Sequence, residues 1–286
     1  MDDESLRTLV DYYVTAGVAG VLALGVLGEA DRLADAERER VLSLVVQEAE
    51  GRVDVIVGIS HPATVVAAAR GRIAMRAGAS AVMLSPPPAT GAGPPLREHF
   101  RRVADAAGLP VVVQDHPASS GIRLPAEFLA ELTEVLPPGS AIKLEDPPTA
   151  TKTARVRSLA PGLPVFGGLG GVALLQELQA GAVGTMTGFA CPELLVEIVQ
   201  SHNAGDRAHA RGVFARALPL LVFEAQPGVG LGVRKEILRR RGAIVGANLR
   251  APATELDHQT LESLDELLEA LSAPAQPSVS ASAPSG

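Results

Sequence analysis

The stretch Ser140-Ala141-Ile142-Lys143-Leu144-Glu145-Asp146-Pro147-Pro148 places a lysine at the end of a short apolar run. Such a run is typical of a buried strand in a parallel sheet. The chain has three lysines, so 22 of its 25 basic residues are arginine. A lysine here indicates amine chemistry, since a partly desolvated amine attacks a ketone. A plain ion pair between Lys143 and Glu145 or Asp146 is the alternative interpretation.

Further short apolar runs lie on both sides of this stretch, with amphipathic helical patterns between them. With the first stretch they make seven candidate strands: Val21–Gly25, Val53–Ile59, Ala81–Ser85, Pro110–Gln114, Ser140–Lys143, Pro164–Gly167 and Ala182–Met186. Strands that alternate with helices predict a parallel sheet covered by helices. A chain of 286 residues fits one closed α/β barrel of the (β/α)8 TIM type.

The helical patterns after residue 200 have no strands between them. We therefore predict a (β/α) barrel over residues 1–200 and an appended C-terminal helical region over residues 201–271. Residues 272–286 are alanine, proline, serine, glutamine, valine and glycine without charge or aromatic side chains, which predicts a disordered tail.

Composition excludes several classes of function. The net charge of −7 and the pI near 5.4 argue against nucleic acid, as do aromatic residues at 3% without tryptophan. Cys191 is the only cysteine, which excludes an internal disulfide. No apolar run reaches the roughly 20 residues of a membrane helix, and the acidic start is unlike a signal peptide. We expect a cytoplasmic protein.

In such barrels the chemistry lies at the C-terminal ends of the strands. These ends hold Gly25–Glu29, Ser60 with His61, Ser85, Gln114 with Asp115 and His116, Lys143 with Glu145, and Gly167–Gly171. Glu145 lies two residues past Lys143, so strand alternation puts both side chains on one face. Glu145 is therefore a candidate acid or base, with a salt bridge to Lys143 as the alternative.

Two glycine-bearing loops are candidate anion sites. The backbone amides of Gly25-Val26-Leu27-Gly28 could hold a carboxylate, although the two glycines taken alone favour a tight turn. The amides of Gly167–Gly171 could bind phosphate, but no lysine or threonine of the Walker type follows. The six histidines show no metal-like pairing, so no metal site is predicted.

The order of these motifs resembles the dihydrodipicolinate synthase and N-acetylneuraminate lyase family. The resemblance rests on Gly25–Glu29, Pro110–Pro117, Ile142-Lys143 and Gly181–Thr185. It implies a (β/α)8 barrel with extra C-terminal helices, a homo-oligomer (a dimer or tetramer), and a lysine that forms a Schiff base with a 2-keto acid substrate without any cofactor. Lys143 matches that lysine.

The departures from the family pattern indicate a subgroup. Val26 and Leu27 stand where the family has two hydroxyl residues, Gln114 stands where it has a proton-relaying tyrosine, and Ser119 stands where it has an arginine. Glutamine cannot transfer protons as a phenol does. Together with Gln114–Ser119 and Gly184–Gly188, this looks more like the L-2-keto-3-deoxyarabonate dehydratase group than dihydrodipicolinate synthase itself.

These considerations predict a lyase that acts on a small 2-keto acid, with dehydration of a 2-keto-3-deoxy sugar acid favoured. Aldol cleavage or condensation with pyruvate is one alternative, and a non-catalytic ligand-binding barrel is another. We assign catalytic roles to Lys143, Gln114 and Glu145. The predicted substrate-binding residues are Gly25, Val26, Leu27, Ser60, His61, Asp115, Gly168 and Thr185.

The start of the chain departs from the family too. Family members have a strand before the first helix, and this sequence opens almost directly on that helix. We therefore expect the family's first strand to be missing, which leaves the Val21 and Val183 strands without a partner on one side. Unpaired strand edges promote association. Residues added upstream, if the gene encodes them, are expected to raise the melting temperature.

Overall fold

The computed structural model describes residues 1–253 and 255–272. Seven strands form one parallel sheet in the order of the sequence. They are β1 (Gly20–Ala23), β2 (Asp54–Gly58), β3 (Ala81–Leu84), β4 (Val111–Asp115), β5 (Ala141–Leu144), β6 (Val165–Gly167) and β7 (Gly184–Thr185). The predicted strands are thus confirmed, in one parallel α/β sheet.

Twelve helices are present in the described part of the chain. They are α1 (Asp3–Thr15), α2 (Asp35–Ala49), α3 (Thr64–Ala77), α4 (Pro94–Ala107), α5 (Pro117–Ser120), α6 (Ala126–Glu131), α7 (Thr149–Leu159), α8 (Leu174–Gln179), α9 (Pro192–Asn203), α10 (Arg207–Glu224), α11 (Gly230–Arg240) and α12 (His258–Ser272). None of the helices in the described residues is long and apolar enough to cross a membrane.

The sheet has two free edges in the described residues. β1 pairs with β2 and β7 pairs with β6, but β1 and β7 do not pair with each other. The expected unpaired edges of the first and last strands are therefore seen in the described residues, because no described segment supplies hydrogen-bonding partners for the outer sides of β1 and β7.

Side chains alternate between the two faces of the sheet. The outward side chains pack under the helices in the main core, where Leu96 and Phe100 of α4 and Ile142 of β5 are fully buried. The inward side chains form a smaller cluster that contains Met83, Val112 and Ala141. Residues that share the inward face with this cluster, further along each strand, reach the C-terminal mouth.

The helices after residue 203 pack on the barrel rather than standing apart. One apolar cluster joins α8 and α9 to α10, α11 and α12, with Leu174, Ile198, Leu221, Ile237 and Leu264 all fully buried. The division into a barrel over residues 1–200 and a helical region over residues 201–271 stays our proposal. Ser272 ends α12, and the rest of the predicted tail lies outside the described residues.

Candidate active site

Lys143 lies near the C-terminal end of β5 and is 7% exposed. It has the same orientation as Ala141 of the inward cluster, and it is in register with Gln114 of β4 and Phe166 of β6. Burial lowers the pKa of Lys143, and the nearby Glu145 carboxylate works against that shift. A lysine in this position releases its proton more easily than one in water and can act as a nucleophile.

A chain of polar contacts leads from Lys143 across the mouth. The Nζ of Lys143 lies 3.6 Å from Oε2 of Glu145. The same oxygen accepts a hydrogen bond of 2.8 Å from Nε2 of Gln114. The Oε1 of Gln114 accepts a hydrogen bond of 2.8 Å from the hydroxyl of Ser85, and the amide of Ser85 donates to Oγ of Ser60 at 2.9 Å.

These polar contacts fix the orientation of the groups that make them. Because Gln114 accepts from Ser85 and donates to Glu145, its amide has one preferred direction. Glu145 uses Oε2 for both Lys143 and Gln114, which leaves Oε1 as the oxygen that can take up or release a proton. The arrangement can therefore combine an amine nucleophile with a carboxylate held beside it.

Gly168 allows the close approach of this pair. A Cβ at Gly168 would lie 2.7 Å from Cγ of Glu145 and 2.8 Å from Cε of Lys143, so only glycine leaves room for both side chains. Gly168, which we predicted as a substrate-binding residue, therefore matters because it leaves space for the side chains of Lys143 and Glu145. The same packing explains part of the glycine-rich run that we considered for phosphate, whose following helix, Leu174–Gln179, has only six residues.

The loop after β1 forms a short turn at the mouth. Val26–Gly28 is one turn of 3-10 helix, in which the amides of Gly28 and Glu29 donate to the carbonyls of Gly25 and Val26, at 3.1 Å each. These hydrogen bonds do not use the amides of Val26 and Leu27. The side chains of Val26 and Leu27 are 56% and 42% exposed. The turn can thus offer two backbone donors to a carboxylate.

Asp115, His61 and Thr185, three of the predicted site residues, make their hydrogen bonds outside the polar chain. Asp115 is fully buried and its Oδ2 accepts from Nζ of Lys152 of α7 at 2.5 Å, because strand alternation turns it away from Gln114 and toward the helices. His61 accepts from the amide of Ala63 at 3.0 Å, next to the start of α3. Thr185 donates its hydroxyl to the carbonyl of Gly167 at 3.2 Å.

Two residues that the sequence did not assign lie close to the site. Ser85 was visible as a strand-end residue, but its role depends on reaching Gln114, which only the structure shows. Glu177 of α8 is 1% exposed and packs against the Cα of Gly167, where a Cβ would overlap its Oε2. Burial raises the pKa of Glu177, the hydroxyl of Thr149 lowers it, and Glu145 raises it. No sequence pattern distinguishes Glu177 from an exposed glutamate on a helix.

The model of the "Dihydrodipicolinate synthetase family" matches residues 1–271 of this chain. The chain belongs to the dihydrodipicolinate synthetase family. It is 34% identical over 267 residues to an L-2-keto-3-deoxyarabonate dehydratase of Azospirillum brasilense, with 91% of this chain and 85% of that protein covered. It is 30% identical over 279 residues to a 4-hydroxy-tetrahydrodipicolinate synthase of Thermomicrobium roseum, with 90% and 84% covered.

A solved structure agrees with this membership. A dihydrodipicolinate synthase from Rhodopseudomonas palustris superposes with a TM-score of 0.90 at 34% sequence identity, covering 94% of this chain and 91% of that one. Members of the dihydrodipicolinate synthetase family are lyases, so this chain is an enzyme of that class. The alternative of a non-catalytic ligand-binding barrel is therefore dropped.

The described residues contain no group of three or more histidine, cysteine, aspartate or glutamate side chains that could hold a metal ion. The mouth instead offers an amine, a carboxylate, an amide and a hydroxyl, contributed by Lys143, Glu145, Gln114 and Ser85. These are the groups that chemistry at a carbonyl carbon needs.

Proposed function

We propose that this enzyme forms a Schiff base between Lys143 and a small 2-keto acid, and that it dehydrates a 2-keto-3-deoxy sugar acid. The observation that carries the proposal is the buried Lys143 with Glu145 beside it at 3.6 Å and Gln114 bound to Glu145 at 2.8 Å. Similarity to the dehydratase of Azospirillum brasilense supports the choice of substrate.

In the proposed first step the neutral amine of Lys143 attacks C2 of the keto acid, and loss of water gives an iminium ion. The amides of Val26 and Leu27 hold the substrate carboxylate. Burial of Lys143 supports this step, because it increases the fraction of neutral amine at a given pH. No cofactor is required, since the iminium itself withdraws electrons.

In the second step a base removes a proton from C3, and the electrons of that C–H bond form an enamine. The enamine then expels the C4 hydroxyl, which leaves as water after protonation by an acid. Glu145 is the proposed proton carrier in both directions, through Oε1. Gln114 holds the other oxygen of Glu145 in place and is a positioning residue rather than a proton relay. The conjugated iminium then isomerises: C5 and its hydroxyl each lose a proton and C3 and C4 each gain one, so that C5 becomes an aldehyde. Hydrolysis of the iminium frees Lys143 and the semialdehyde.

Gln114 also supports dehydration over aldol cleavage. Cleavage needs a base that takes the proton of the C4 hydroxyl, and a glutamine amide cannot do so. Gln114 is moreover occupied on both sides, by the hydroxyl of Ser85 and by Glu145.

Product analysis with L-2-keto-3-deoxyarabonate tests this proposal. Formation of 2-ketoglutarate semialdehyde is the expected result. Release of pyruvate and glycolaldehyde would show an aldolase and overturn the assignment of the reaction. The same assay after dialysis against a chelator tests the absence of a metal requirement, with full activity expected. The homo-oligomeric state stays a prediction that sedimentation velocity measures.

A further inference from the structure

Glu29 follows the turn Val26–Gly28 and is 7% exposed. Its backbone has a φ of 52°, in the left-handed region that residues other than glycine seldom adopt. Its amide closes the turn by donating to the carbonyl of Val26 at 3.1 Å. The position of the Glu29 side chain and the shape of the turn are therefore linked through one residue.

Each carboxylate oxygen of Glu29 accepts a hydrogen bond from one group that is remote in sequence. Oε2 accepts a hydrogen bond of 2.6 Å from Nζ of Lys235 in α11. Oε1 accepts a hydrogen bond of 2.8 Å from the backbone amide of Arg250 and one of 3.5 Å from Nη1 of the nearby Arg32. We call these contacts the Glu29 bridge.

The Glu29 bridge ties the loop after β1 to the C-terminal part of the chain. Lys235 also donates to the carbonyl of Asn248 at 2.7 Å, and Arg32 donates to the carbonyl of Arg250 at 2.9 Å. The guanidinium of Arg250 in turn contacts Glu37 of α2. Lys235 of α11 and Arg32 thus both donate hydrogen bonds to carbonyls of residues 248–250, and these bonds hold that segment against the loop.

Charge makes the bridge strong. Burial raises the pKa of Glu29, but the hydrogen bonds from Lys235 and from the amide of Arg250 outweigh burial and give a net lowering. Glu29 is therefore a carboxylate at neutral pH, and hydrogen bonds to an ionised group are about twice as strong as neutral ones. A neutral side chain at position 29 would leave Lys235 without its charged partner.

We propose that Glu29 is a positioning residue, which fixes the turn Val26–Gly28 against residues 248–250 so that its amides face the substrate carboxylate. The inference rests on the proposed function of that turn. It goes further by making keto-acid binding depend on the C-terminal region, which supplies Lys235 and Arg250 but no group of the polar chain at Lys143.

The experiment is borohydride trapping of the intact protein with pyruvate at increasing concentrations, compared between wild type and Glu29→Gln. A positioning role predicts that the pyruvate concentration for half-maximal trapping rises about tenfold or more, the scale of one lost hydrogen bond to a charged group. The maximal extent of trapping is expected to stay within a few fold, because Lys143 and Glu145 are untouched.

Asp265→Asn is the matched control. Asp265 also binds an arginine of the C-terminal region, Arg240, but its side chain is 55% exposed and lies outside the Glu29 bridge. We expect an unchanged midpoint for this variant. A midpoint for Glu29→Gln equal to that of wild type would overturn the inference while leaving the Schiff-base proposal intact. Absence of trapping in wild type would instead overturn the proposed function.

Lys235→Met removes the other partner of the same ion pair. The Lys235 side chain is 24% exposed, against 8% for Glu29, so this variant keeps the inference testable if Glu29→Gln does not fold. Its midpoint is expected to rise as well, and Lys235→Arg is expected to restore most of the binding because it keeps a charged donor. A Lys235→Met variant with the wild-type midpoint would contradict the positioning role.

Discussion

Replacement of Gly168 by alanine tests the packing of the active site. The added Cβ would lie 2.7 Å from Cγ of Glu145 and 2.8 Å from Cε of Lys143. Carbon atoms in contact prefer about 3.5 Å or more, so each side chain must retreat by roughly 0.8 Å or the backbone must shift. Both atoms belong to the two residues that we propose for proton transfer and for the Schiff base.

The size of the effect follows from this displacement. A misplacement of about 1 Å costs roughly 100-fold in rate, so Gly168→Ala is expected to reduce kcat/KM by about that factor. Overpacking costs about 1–3 kcal/mol, so the free energy of unfolding is expected to fall by that amount. We therefore expect the variant to fold but to have low catalytic activity.

Steady-state kinetics and urea unfolding measure the two effects separately. Gly162→Ala is the control, because a Cβ at Gly162 meets no atom within 4 Å. This control is expected to keep both the wild-type rate and the wild-type stability. A Gly168→Ala enzyme with wild-type kcat/KM would refute the argument that Lys143 and Glu145 must approach this closely.

Three further substitutions test individual side chains. Glu145→Gln is expected to lower kcat by about 10²–10⁴ while borohydride trapping persists, and an unchanged kcat would exclude Glu145 as the proton carrier. Arg234→Met leaves Glu224, whose pKa burial already raises to about 7, without its charged partner at 3.0 Å. Urea unfolding should show a loss of about 3–5 kcal/mol, greater at pH 8 than at pH 5 because the unpaired carboxyl must then ionise. Since burial raises the pKa of Glu177 above 4.5, its contribution to stability is full below pH 4.5 and is lost as the pH rises through the folded-state pKa. Glu177→Gln does not titrate, so its stability should fall less between pH 5 and 8, and an equal fall would contradict the burial argument.

The strands were predictable because local patterns specify them. A run such as Val111–Val113 is apolar and short, and it begins β4 where expected. The same alternation correctly placed Lys143 and Glu145 on one face. The pattern at the start of the sequence also predicted the unpaired edges of β1 and β7 that the described residues show.

The side-chain partners were not predictable, because they join segments that are remote in sequence. Asp115 follows Gln114 at a strand end and was assigned to the substrate, but it binds Lys152 on the helical side. Ser85 reaches Gln114 across 29 residues of chain, and Glu29 reaches Lys235 across 206. Pairing of this kind depends on the three-dimensional arrangement and leaves no periodic signal in the sequence.

The central claim is that Lys143 carries the substrate covalently. Reduction with borohydride in the presence of pyruvate, followed by mass measurement and peptide mapping, tests it most directly. We predict one reduced adduct per chain on the peptide of Lys143, with trapping that increases with pH and reaches half-maximum below 10.5, because burial lowers the pKa of this lysine. No adduct, or an adduct on Lys152 or Lys235 instead, would contradict the account.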